Sequence, residues 1–297
     1  MTLRSVYELA APAKLNAFLH IIGRREDGYH MLQSVFVLID WCDTLHFELR
    51  HDGQLLRHDL GDALPADDLC LRAARLLQQQ CACSLGADIL IDKRIPSGAG
   101  MGGGSSDAAT TLLALNRLWH LNWPRQRLLA LALRLGADVP FFVGGRNAFV
   151  QGIGEQLSAI AWPEQHYLVV KPPIAISTQA IFSDSKLVRD TEAVIVQGSF
   201  EDRQHELEVP AEWPEGFGQN DLEPVVTSRF TEVAQAAKWL SDRYGNSRMT
   251  GSGSAVFARV GAGVLPGATW PQEGLPAAWV GRHCRSLPAH PLVRWAD

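Results

Sequence analysis

The stretch PSGAGMGGGSSDAATTLL, residues 96–113, sets five glycines among the seven positions 98–104 and then runs through Ser-Ser-Asp into an apolar segment. A backbone cleared of side chains in this way lets something approach it closely. Before the glycines, ADILIDKRIP reads as a short strand; behind them, Ser105, Ser106 and Asp107 are good first residues for a helix continuing through AATTLLALNRLW, with Ala109, Leu112, Leu113 and Leu118 on its buried side. The local order is therefore strand, glycine loop, helix. Unshielded N–H groups in such a loop converge on a phosphate, and the N-terminus of the following helix adds positive potential. The duller alternative is a flexible connector, but connectors seldom run from a strand directly into a capped helix.

The well-known glycine loops fit poorly. Gly98-x-Gly100-x-x-Gly103 satisfies the dinucleotide fingerprint formally, yet no acidic residue lies between Asp107 and Asp138 to meet a ribose. No Gly-Lys-Ser/Thr closes the run as a Walker loop requires, and V-A-I-K, H-R-D and D-F-G are missing.

Working outward, residues 5–23 are extended in pattern, and a period of two places Lys14, Asn16, Phe18 and His20 on one face with Leu15, Ala17, Leu19 and Ile21 opposite. Asp27-Gly28 signals a turn, followed by two strands, SVFVLIDW and TLHFELR. Helical spacing marks residues 67–83, RQRLLALALRL ending at Gly136, and TEVAQAAKWLSDRYG ending at Gly245. RNAFVQGIGEQL reads as a hairpin, and a domain boundary falls near residue 160, giving domains 1–160 and 161–297. Beyond it come the strand HYLVVK, broken by Pro172-Pro173, an irregular connection over 198–224, and TGSGS at 250–254, which alone reads as a tight turn. The last residues, with two prolines after Ser286, read as a loosely held tail, and Trp270, Trp279 and Trp295 have no assigned role.

Composition narrows the classes. With 46% hydrophobic and 20% charged residues, the 297-residue chain can bury a large core, and a net charge of −5 argues against a broad nucleic-acid surface. Five scattered cysteines without a C-x-x-C pair indicate neither disulfides nor zinc, and ten dispersed histidines lack metal-ligand spacing. No leader pattern or long apolar run is present, so the expectation is a cytoplasmic protein, no membrane partner, and a monomer or homodimer.

A phosphate loop without a histidine metal cluster points to phosphoryl transfer, which requires a hydroxyl to be activated and charge to be neutralised. Asp138 stands before VPFFVGG, where an ionised carboxylate is costly without a cation, and Lys14 is the candidate cation. Singly, Asp138 could cap a turn and Lys14 could hold its head in water. Jointly, Asp138 takes the proton from an acceptor hydroxyl while Lys14 keeps that carboxylate ionised. Ser105 or Ser106 is placed to ligate Mg²⁺, with Ser105 preferred.

Three motifs taken together, PAKLNAFLHIIGRREDGYH, PSGAGMGGGSSDAA and GSGSAVFA, resemble those of the GHMP kinases, and GADVPFFVGG and NDLEPVV fit the same pattern. The likeness covers roughly residues 10–260. It is nearest to the isoprenoid-precursor branch, which uses ATP to phosphorylate the 2-hydroxyl of a sugar alcohol carrying a cytidine diphosphate group. It implies an α+β fold of two domains: an N-terminal one like the second domain of ribosomal protein S5, with a left-handed crossover, and a ferredoxin-like C-terminal one. It also implies that Lys14 and Asp138 are catalytic and that ATP lies on Pro96, Ser97, Gly98, Ala99, Gly100, Met101, Gly102, Gly103, Gly104, Ser105 and Ser106. By the same resemblance the cytidine falls near Tyr29 and His30, with Phe182 on its other side, while Asn16 and Thr178 contact the acceptor or, for Asn16, hold the lysine. Alternatives are another acceptor (homoserine, mevalonate or a sugar) or a nucleotide-binding module that has lost its chemistry.

Overall fold

A computed structural model describes residues 3–194, 207–208 (backbone), 218–261 and 275–296. The chain begins with β1 (Ser5–Arg24) and β2 (His30–Arg50), joined across Gly28, whose φ of 91° suits the turn, with Arg25 N donating to Tyr29 O at 2.8 Å. SVFVLIDW and TLHFELR are one continuous 21-residue strand rather than two. Next come β3 (Leu55–Asp59), α1 (Leu69–Cys81), capped by Asp68 Oδ1 on Leu71 N at 3.0 Å, and β4 (Gly86–Asp92), which delivers the chain to the glycines. Then follow α2 (Gly103–Leu118), α3 (Arg125–Leu135), the short α4 (Val139–Gly144), and the hairpin β5 (Ala148–Gln151) and β6 (Gln156–Ala161). The remainder comprises β7 (His166–Lys171), α5 (Thr178–Phe182), β8 (Leu207–Glu208), α6 (Glu223–Arg229), α7 (Thr231–Tyr244), β9 (Arg248–Met249), β10 (Val256–Val260), β11 (Val280–Arg285) and a 3₁₀ turn at Val293–Ala296.

Two sheets organise these elements. The first runs β3-β4-β2-β5-β6-β8, with β1 antiparallel to β2 along nearly its whole length; the second, antiparallel, runs β11-β7-β10-β9. The chain passes from one sheet to the other between β6 and β7. α2 packs on β1, flanked by α1, α3 and α4, while α7 covers β10 and β7.

The simple alternation expected for residues 5–23 fails inside β1. The pairing with β2 shifts between Pro12 and Ala13 and again between Asn16 and Phe18. At the first shift the extra residues lie in β2, between Ile39 and Cys42; at the second, Ala17 is an extra residue in β1 and flips the side chains that follow it. Leu15 and Phe18 therefore share one apolar cluster, Leu19 and Ile21 share the other, and the Phe18 ring lies against His20 at 4.7 Å. Lys14 and Asn16 keep a common face, from which Phe18 and His20 are excluded.

Two other expectations need correction. α2 starts at Gly103, with Gly102 at its N-cap in the left-handed region (φ 71°), so Ser105, Ser106 and Asp107 lie inside the first turns rather than capping them. The tail is not loose. β11 pairs with β7, Leu287 N donates to Leu38 O at 2.8 Å, and Leu292, His290 and Ala296 are buried. Trp279 and Trp295 pack on the main core; Trp270 and most of the predicted connection, 198–206 and 209–217, lie outside the described residues.

Candidate active site

The glycine loop is shaped first by its own protein. Gly98, Gly100 and Gly102 alternate through positive φ values of 62°, 74° and 71°, a conformation that L side chains adopt at a cost. A Cβ on Gly100 would stand 2.2 Å from Thr250 O, and one on Gly102 would meet the Phe142 ring at 3.0 Å and Lys14 Cγ at 3.3 Å. Bareness is thus demanded at Gly100 by the TGSGS turn, which also ties to the loop through Ser254 N to Gly98 O and Ala255 N to Ala99 O, both 3.1 Å. TGSGS, read alone as a turn, is a turn that also packs against the glycine loop. Beside the loop lies a cavity of about 260 Å³, with Leu64, Leu69, Ile95 and Pro96 on its apolar side and Lys93 and Asp107 on its polar side.

β1 delivers Lys14 to this loop, with Lys14 N donating to Met101 O at 2.9 Å. The side chain is 4% exposed, so its head is not in water. Lys14 Nζ donates to Asn16 Oδ1 at 2.5 Å, lies 4.6 Å from the centre of the Phe36 ring, and faces Asp138 Oδ2 at 3.8 Å. Burial pushes the ammonium below the usual lysine range, and the Asp138 charge only partly restores it. Asp138 stands at the N-cap of α4, yet its side chain makes no capping bond and remains one-third exposed, at 33%. Asn16 is fully buried. Its Oδ1 accepts from Thr250 Oγ1 at 3.1 Å as well as from the lysine, and its Nδ2 donates to Ser34 Oγ at 2.9 Å.

At the start of α2, Lys93 Nζ bridges Asp43 Oδ2 and Asp107 Oδ2, the latter at 2.6 Å, while Asp43 Oδ1 accepts from Arg94 N at 2.6 Å and Ile95 N at 2.7 Å. This bridge joins the strand that enters the loop to the helix that leaves it. Burial drives the Asp107 carboxyl well above the ordinary range, against the pull of Lys93 and with the help of Asp43. Among the described residues, Asp107 Oδ1 and Ser106 Oγ are buried without a hydrogen-bond partner. Ser105 is half-buried in the first turn.

The residues expected around the cytidine are only partly assembled. The His30 and Phe182 rings are 5.2 Å apart at 45°, Tyr29 is 60% exposed, and Thr178 Oγ1 is hydrogen-bonded to Ser252 Oγ at 2.7 Å in the TGSGS turn. Sequence reasoning missed Phe36, Thr250, Arg189 and the Asp43–Lys93–Asp107 bridge. Lys93 alone carried a local signal, a cation at the end of the strand feeding the glycines.

A buried lysine, a nearby carboxylate and a bare loop at a helix mouth define a cleft of phosphotransferase type. Comparison with known proteins agrees. Residues 68–146 match the model for the GHMP kinases N terminal domain and 206–262 that for the GHMP kinases C terminal. The chain belongs to the GHMP kinase family, has its two-domain α+β fold, and is an ATP-dependent small-molecule kinase. It is 59% identical, over all of both chains, to a Methylibium petroleiphilum protein named 4-diphosphocytidyl-2-C-methyl-D-erythritol kinase. A Paraburkholderia phytofirmans protein of the same name is 51% identical over 100% of this chain and 99% of its own. A crystal structure of 4-(cytidine 5'-diphospho)-2C-methyl-D-erythritol kinase superposes with TM-score 0.73 at 32% identity, covering 93% of this chain and 98% of its own. Homoserine kinase from Cytophaga hutchinsonii, at 15% identity and TM-score 0.63 over 97% and 96% of the two chains, shares the fold.

Proposed function

We propose that this kinase transfers the γ-phosphoryl group of ATP to the 2-hydroxyl of 4-diphosphocytidyl-2-C-methyl-D-erythritol, the acceptor in the names of its full-length relatives. The observation that carries the chemistry is the pair beside the glycine loop, a lysine stripped of water 3.8 Å from a carboxylate that stays one-third exposed. Asp138 takes the acceptor proton, and Lys14, in surroundings of low dielectric, holds the carboxylate ionised and opposes the negative charge that builds on the transferring group. Bare amides of the loop and the first turn of α2 hold the nucleotide phosphates, with Leu64, Leu69 and Pro96 as an apolar wall for its base.

Mg²⁺ suits this site by donor chemistry: the half-buried Ser105 hydroxyl is a hard oxygen in the turn nearest the phosphates, and such ions take few protein ligands. When bound, the ion neutralises phosphate charge during transfer. On the acceptor side, the His30–Phe182 ring pair supports a planar base and Thr178 contacts the sugar alcohol, while Asn16, fully buried, holds the lysine. Residues 1–160 then form the nucleotide-binding domain and 161–297 the C-terminal one.

The test is a coupled assay with ATP and this acceptor. The wild type is expected to turn over, CDP to compete with the acceptor, and Asp138→Asn to lose on the order of 10²–10⁴ in kcat. Full turnover by Asp138→Asn removes it from its role. ATP binding without transfer to any acceptor indicates a non-catalytic module.

A further inference from the structure

His30, opposite Arg24 in the β1–β2 register, is held from behind by a second guanidinium. Arg189 Nε donates to His30 Nε2 at 3.0 Å. The donor is itself fixed by three backbone carbonyls, with Nη1 on Leu187 O at 2.8 Å and Nη2 on Phe182 O at 3.2 Å and Asp184 O at 2.6 Å. Those carbonyls belong to the same turn of chain that presents the Phe182 ring to His30.

The chemistry of the contact is one-directional. A guanidinium has donors and no acceptor and keeps its proton, so the nitrogen it meets must be the acceptor. His30 Nε2 therefore carries the lone pair, and in the neutral ring the proton resides on Nδ1. A protonated ring would place an N–H against an N–H. Burial, Arg189 and Arg24 all hold His30 below the ordinary histidine range, which keeps the ring neutral at physiological pH. Among the described residues Nδ1 has no hydrogen-bond partner, so a donor of fixed direction remains for a ligand.

We propose that Arg189 is a positioning residue for base specificity: it locks His30 as the Nδ1–H tautomer, so that the ring donates to N3 of a cytosine and meets a second donor in a uracil. Ring atom N3 is an acceptor in cytosine and an N–H in uracil, so the fixed tautomer separates the two bases. The proposal rests on the cytidine reading given above.

Two measurements test it on the full chain. In ¹⁵N-histidine spectra at pH 7.5, with His30 assigned by its loss in His30→Gln, the wild type is expected to show the Nδ1–H tautomer and Arg189→Met a mixture or the opposite one. By calorimetry, the wild type is expected to bind CDP about tenfold more tightly than UDP, the scale of one hydrogen bond made or opposed. Arg189→Met should bring that ratio close to one, and Arg189→Lys, which restores a donor, should recover part of it. A wild-type His30 seen as Nε2–H or as imidazolium overturns the proposal, and this reading stands even if Arg189→Met fails to fold. A CDP preference that survives unchanged in a folded Arg189→Met also overturns it, leaving the cytidine reading intact. Equal binding of CDP and UDP by the wild type overturns the cytidine reading, and the proposal with it.

Discussion

Lys14 keeps a positive charge where water does not reach, and that costs the fold free energy which one carboxylate 3.8 Å away only partly returns. Because burial depresses its pKa, the unfolded chain binds the proton more readily between the folded value and the ordinary lysine value. Stability therefore rises with pH across that interval, and below it the full penalty is present. Lys14→Met removes the charge at similar length, leaves Asp138 one-third exposed, and leaves Asn16 Oδ1 with Thr250 as donor. We expect a thermal midpoint at or above that of the wild type at pH 7, no high-pH rise from this site, and kcat lower by about 10²-fold or more. Calorimetry and the coupled assay check both halves; a midpoint several degrees lower would mean that the lysine supports the fold. Lys14 and Asp138 were legible in the sequence because each is a charge set in an apolar run. Thr250 and Arg189 were not, because their partners lie 234 and 159 residues away in the chain.

At the level of elements, patterns of period and cap located the helices and strands, and failed where an element departs from regular geometry. Alternation cannot show the four register shifts between β1 and β2, since an extra residue looks like any other until the partner strand is known. Similarly, Ser-Ser-Asp has the composition of a cap, but Gly102, in a left-handed conformation open to glycine, takes that position and moves Asp107 into the helix. There Asp107 meets Lys93 and closes the bridge that fixes both ends of the glycine loop. Its raised pKa means that the folded state holds this proton more tightly than the unfolded one. The resulting stability is complete below the ordinary carboxylate range and is lost as pH rises through the folded value. Asp107→Asn keeps an acceptor for Lys93 without the charge. Urea midpoints measured from pH 4 to pH 8 are expected to fall less steeply for Asp107→Asn than for the wild type; parallel curves would show that Asp107 is ionised throughout.

On the scale of the whole molecule, the cleft exists because remote segments are tied across it. Asn16 N meets Thr250 Oγ1 at 3.0 Å, Leu19 bridges Asn220, and Arg248 reaches the carbonyls of Ala17 and Gly218. None of these ties has a local signature, so composition and motif disclosed two domains and a loop but not how one closes on the other. The tail is the sharpest case. One edge of β2 is taken by β5 at Ser34–Phe36 and by β4 from Thr44 onward, and the gap between them is filled by Ser286 and Leu287, which pair with Ile39 and Leu38. Asn147 locks the gap, accepting from Leu38 N and donating to Leu287 O, at 2.8 and 2.9 Å. Farther on, His290 N donates to Gly145 O at 2.9 Å, Arg125 holds Val293 O, and Arg117 lies 4.9 Å from the Trp295 ring. Deleting residues 287–297 therefore removes the buried Leu292, whose burial is worth about 2 kcal/mol. It also strands at least three hydrogen-bonding groups at about 1 kcal/mol each. The expected loss of roughly 5 kcal/mol is comparable to the whole stability of many domains. Urea titration of the truncated chain should show a midpoint lowered in proportion or no folded baseline at all, whereas a midpoint within error of the full chain would mean that the strap contributes nothing and that the open edge of β2 is satisfied by water.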